Sequence, residues 1–149
     1  MRYCETGKLH KDFHGALNTT VEYIVKYYGR EALREIFFNV GQKVYKSIHE
    51  SLKRGDASEL LEHWNYFFSR EGNDFKIIQS KNEITLEVSK CPAVEHLLKL
   101  GLKPSEYFCC QTIDVNEAMC EGTPWKAETE ILGCGKCRQT VSRAVGKRE

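Results

Sequence analysis

Five of the seven cysteines fall between Cys109 and Cys137, and the last two stand in Gly133-Cys134-Gly135-Lys136-Cys137. Two thiols two residues apart in a Gly-rich turn can point toward one ion, as in half of a zinc knuckle. The glycines let backbone N–H groups turn toward the sulfurs and Lys136 adds positive charge, so both features favour thiolate. Metal or cluster ligation, redox or nucleophilic use, and plain burial are the three readings of the pair. A thioredoxin-like use fits least well. That motif opens a helix in a βαβ setting, and this one joins two strand-like segments.

The remaining ligands must come from elsewhere in the chain. Cys109 and Cys110 are adjacent at the start of a helical stretch, so they point about 100° apart. At most one faces a common pocket, and Cys110 is preferred. Cys91, at a strand end before Pro92, is a further candidate. Cys91, Cys110, Cys134 and Cys137 would close a four-thiolate zinc site. Exchanging one of them for Glu128, Glu130 or water would open it. Cys120, ten residues after Cys110, falls near the opposite helix face, and it and Cys4 read as buried residues. His10 and His14 read as surface or capping residues, and His49 and His63 as exposed or at the edge of a stripe. His96 could reach the pocket from a short helix, although a core or edge position fits it better. Asp114 lies one turn after Cys110 and could support a ligand or carry a proton. For Asp114, Asn116 and Glu117 the plain alternative is solvation. No phosphate-cradling Gly loop, HExxH or GxSxG occurs, so nothing supports nucleotide chemistry.

These residues must be positioned by the rest of a 149-residue chain, a length that suits one domain able to bury a core without disulfide staples. With 22 basic and 21 acidic residues the net charge is +1, which gives no field for nucleic acid or an anionic membrane. No apolar run is long enough to span a bilayer, and the first fifteen residues lack the apolar core of a signal peptide. The expectation is a cytoplasmic protein with mostly reduced thiols.

Residues 1–11 read as an arm, 12–72 as a helical half, 73–143 as a strand and helix half, and 144–149 as a charged tail. Phe13, Leu17, Val21, Ile24 and Tyr28 predict a helix from Asp12 to about Tyr28, stopped by Gly29. Leu33, Phe37, Val40, Val44, Ile48 and Leu52 predict one long helix over 31–54, with Gly41 set for close packing or for room beside a ligand. A third helix over 57–70, capped by Asp56 or Ser58, carries Trp64, Phe67 and Phe68. The period then changes to two. Strands are predicted over 75–79 and 84–88, a short helix over 93–100, and a helix opening at Pro104 or Ser105 and running to Cys120. Strands at 125–131 and 137–141 flank the Cys134 turn. Helices before strands, with hairpin connections, predict α+β: N-terminal helices on an antiparallel sheet of about four strands.

The order of strand, Cys91-Pro92, short helix, cysteine-opened helix, Gly122, Glu-bearing strand, Gly133 and Cys137 resembles the 4-vinyl reductase domain and the related phenol-sensing domain of bacterial regulators. It also resembles the L-2-amino-thiazoline-4-carboxylic acid hydrolase-like family. The resemblance covers about residues 12–143, with its specific residues in 84–141. It implies the fold of NO-signalling and Golgi-transport proteins, which often dimerises through helices. It also implies zinc held by Cys109 or Cys110, Glu128 or Glu130, Cys134 and Cys137. The turn here is shorter than in the sensors and the glutamate is displaced. From the hydrolase side it implies ring-opening hydrolysis of a thiazoline-carboxylate-like substrate. A small-molecule or metal-cofactor receptor without turnover is the alternative.

Overall fold

The computed structural model describes residues 3, 6–72 and 74–144. Cys4 and the charged tail beyond Ala144 lie outside the described residues. Among the described residues, six α-helices and one four-stranded antiparallel sheet make an α+β fold with the helical half first. The order is α1 (Asp12–Tyr28), α2 (Arg30–Asn39), a π-helical turn (Val40–Val44), α3 (Lys46–Lys53), α4 (Ser58–Glu71), β1 (Phe75–Gln79), β2 (Glu83–Val88), α5 (Pro92–Lys99), α6 (Cys110–Cys120), β3 (Trp125–Gly133) and β4 (Lys136–Arg143). Among the described residues no helix is long and apolar enough to cross a membrane.

The strands lie in the order β1-β2-β4-β3. Period-two alternation sends Ile84, Leu86 and Val88 of β2 and Cys137, Gln139 and Val141 of β4 to the same face. The register sets Cys137 between Val88 and Ile131, Gln139 between Leu86 and Thr129, and Val141 between Ile84 and Ala127. The main core forms where this face meets Ile48 and Leu52 of α3, Leu60 and Trp64 of α4 and Met119 of α6.

The long helix expected over 31–54 is interrupted by the π-helical turn. A π turn inserts one residue and rotates the downstream helix by about 100°. Leu33 and Phe37 therefore pack with Val21 of α1, while Ile48 and Leu52 serve the main core. Val44, expected on the buried stripe, is 63% exposed. Gly41 sits in this turn against α6. A Cβ there would lie 2.5 Å from Ala118 Cβ and 2.9 Å from the Val115 carbonyl, so the glycine serves close packing.

α6 packs against α2, α3 and β3, so it is buried nearly all round. Residues two apart on a helix point to opposite sides. Asp114 accordingly faces α2, where it accepts from Arg30 Nη2 at 2.7 and 2.9 Å and from Arg34 Nη1 at 2.9 Å. Asn116 faces the sheet and donates to Gln139 Oε1 at 2.9 Å. The solvated reading of these two residues does not hold.

α6 starts at Cys110 rather than at Pro104 or Ser105, because Asn18 captures the backbone ahead of it. Asn18 Oδ1 accepts from Ser105 N–H at 2.8 Å, and its Nδ2 donates to the Lys103 carbonyl at 3.1 Å. The Pro-Ser signal marks a turn pinned to α1, and Cys109 becomes the residue that precedes the helix.

Candidate functional site

A cavity of about 330 Å³ opens where α1, α4, the N-terminus of α5, the start of α6 and the β3–β4 turn converge. Its aromatic wall comes from Phe13, Tyr45, Phe67, Phe68 and Phe108. Its polar groups include His14, His63, Glu71, Gln111, Thr112, Lys136, Gln139 and the thiols of Cys91, Cys109 and Cys137.

Each thiol is placed by a local rule. Cys137 stands on the inner face of β4, in the row with Val88 and Ile131. Cys91 precedes Pro92, which opens α5. Its N–H donates to the Gly135 carbonyl at 2.8 Å, docking the turn onto α5. Gly135, at φ +70°, supplies the left-handed corner that this turn requires. Cys109, just before α6, lines the cavity. Cys110, about 100° further round, packs instead with the cluster of Val21, Leu33 and Phe37 and beside Arg30.

The preference for Cys110 over Cys109 as the pocket-facing thiol is therefore corrected: the register of the helix start turns Cys110 away. Cys134 is exposed at the turn tip. Glu128 and Glu130 alternate onto the outer face of β3, where Glu130 meets Arg138 at 3.3 Å, so neither can reach the cavity. The set Cys91, Cys110, Cys134 and Cys137 is not brought together. Among the described residues no group of three or more His, Cys, Asp or Glu side chains is placed to hold a metal ion.

At Cys137 the expected activation to thiolate is not met. Burial pushes the Cys109 thiol up to about 11, with neighbouring thiols adding to the rise. Burial raises Cys137 too, against a smaller opposing effect from Gln139, whose Nε2 donates to its sulfur at 3.5 Å. Cys91 is raised by burial despite the Val94 and Ala93 amides at the open end of α5. All three cavity sulfurs are neutral thiols at pH 7. Cys120 behaves as expected for a core residue, buried and raised to about 12 by desolvation.

Two histidines belong to the cavity, against the surface and edge positions expected for them. His14 is 6% exposed and lines the cavity, and its Nε2 lies 3.6 Å from Glu71 Oε2, beyond hydrogen-bonding distance. Both ring nitrogens of His14 and the Glu71 Oε2 are buried without a hydrogen-bond partner. His63 is packed between Tyr45 and Phe67, and burial lowers it to about 4, so it stays neutral. His96 stays outside the lining, 3.8 Å from Asp12. His49 bonds the Met119 carbonyl at 2.9 Å, and His10 is exposed. Trp64, carried on α4 with Phe67 and Phe68, belongs to the main core. One signal could have found the site: His63, Phe67 and Glu71 recur every four residues along α4, a single helical face.

No family model matches this sequence, and no curated protein matches it.

Proposed function

We propose that the chain is a small-molecule-binding domain whose ligand occupies this cavity. The observation that carries the reading is the cavity itself, at the small end of the range of ligand sites and walled by aromatic rings with a few convergent polar groups. Neutral thiols suit such a pocket, since they behave as small apolar surfaces. They do not suit a nucleophile, which must be a thiolate.

Calorimetric titration with indole and with toluene tests the reading. Either probe is expected to bind and to raise the melting temperature. Thr112→Trp, which fills the cavity from a half-exposed position on α6, is expected to abolish both effects. At a hundredfold excess over Kd the stabilisation is about 2.7 kcal/mol. Binding that survives Thr112→Trp unchanged places the ligand elsewhere and removes the reading.

A second reading draws on the unpartnered His14–Glu71 pair. Such a pair is a candidate general base for water attacking the ring carbon of a thiazoline-carboxylate-like substrate, with ring C–S opening to a carbamoyl-cysteine. Incubation with the thiazoline carboxylate and assay for carbamoyl-cysteine decides it. No product ends the hydrolase reading and leaves the binding reading intact, whereas product undiminished in His14→Gln removes the His14–Glu71 pair as its base.

A further inference from the structure

We propose that the cavity is shaped for a small amine, with Glu71 receiving the ammonium group and the aromatic wall receiving the apolar body. The proposal rests on the binding-domain reading above and assigns its ligand class.

Among the described residues Glu71 is the only carboxylate in the cavity lining. Its Oε2 is buried with no hydrogen-bond partner, and among the described residues its one ion-pair neighbour is the His14 ring at 3.6 Å. Leaving a buried acceptor without a partner is costly, and more so for a charged group. A cationic donor arriving in the cavity removes that cost. The chain's own cations do not fill the role. Lys11 Nζ reaches only the Glu71 backbone carbonyl, at 3.5 Å, and Lys136 is exposed. His63 is held neutral by burial and supplies no competing charge.

The spacing on α4 matches the two ends of such a ligand. Phe67 and Phe68 precede Glu71 by four and three residues, so both rings share its helix face. An ammonium near aromatic rings gains cation–π attraction, which grows when the pair is desolvated. A carboxylate ligand meets the opposite condition at Glu71, which repels it, and Lys136, which also lines the cavity, is exposed at the β3–β4 turn.

Calorimetry on the full chain with three probes of one shape decides the matter: phenethylamine, 2-phenylethanol and phenylacetate at pH 7.5. The amine is expected to bind at least tenfold more tightly than the alcohol, with phenylacetate weakest. Glu71→Gln is expected to bring the amine to the affinity of the alcohol while leaving the alcohol unchanged. Should that variant fail to fold, Glu71→Asp withdraws the carboxylate by one methylene and is expected to weaken the amine alone, several-fold. Phenylacetate binding as well as the amine, or an amine affinity indifferent to Glu71, overturns the amine assignment. In that case binding of the alcohol still upholds the binding domain, whereas silence from all three probes removes both.

Discussion

Two buried polar clusters in the molecule are built on opposite terms. At Asp114 the carboxylate is fully buried and accepts three hydrogen bonds from Arg30 and Arg34, and Arg34 continues to Glu117 at 2.8 Å. Apart from Arg30 Nη1, its members are partnered, and the cluster ties α2 to α6. At the cavity, His14 and Glu71 face each other across 3.6 Å with their buried atoms unpartnered. A satisfied buried network specifies structure; an unsatisfied one destabilises the folded chain unless something else completes it. The contrast separates architecture from site.

The contrast can be broken at its strong end first. Asp114→Ala removes the acceptor and leaves two guanidinium groups facing a packed helix. The expected loss is about 3 kcal/mol, at the low side of the range for a broken buried pair because both arginines are roughly one-third exposed. Urea denaturation measures it, and a loss under about 1 kcal/mol would place the cluster among ordinary surface pairs.

The second effect is carried by pH. The folded pKa of His63 lies near 4, below the unfolded value of about 6.5. Between those values the unfolded chain binds more protons, so stability rises with pH there. The contribution is fully present above about pH 6.5 and is lost as pH falls through 4. Its full size is on the order of 3 kcal/mol, scaled from about 1.4 kcal/mol per unit of pKa. Comparing the pH dependence of unfolding for wild type and His63→Phe isolates it. Parallel curves would mean that the ring is not desolvated in the folded protein.

The smallest effect belongs to the unsatisfied pair. Replacing His14 and Glu71 together by leucine exchanges two unpartnered groups for apolar ones. The change is expected to be within about 1 kcal/mol of neutral, or stabilising. A double variant that loses as much as Asp114→Ala would make the two clusters alike and erase the distinction.

Much of the architecture was legible because it rests on short-range periodicity. The alternation around Ile84–Val88 and Cys137–Val141 announced the sheet, and Cys91-Pro92 announced the start of α5. What escaped depended on tertiary partners. The buried face of α1 runs through His14, Asn18 and Val21, and His14 read as a surface or capping residue. Asn18 moved the start of α6 by capturing a distant backbone, and that shift decided which of two adjacent cysteines met the cavity. The two-residue period did place Glu128 and Glu130 opposite Ala127 and Ile131, but which face was inner depended on the neighbouring strand β4.

The π-helical turn at Val40–Val44 carries one more consequence. It works as a gear between α2 and α3: one surplus residue sets the angle at which each segment meets its own core. Deleting a single residue there would return the segment to an unbroken α-helix and swing Ile48 and Leu52 by about 100°, out of mesh with the sheet. At this place the chain is specified by counting. Its side chains tolerate exchange to the degree that packing allows, but its length does not.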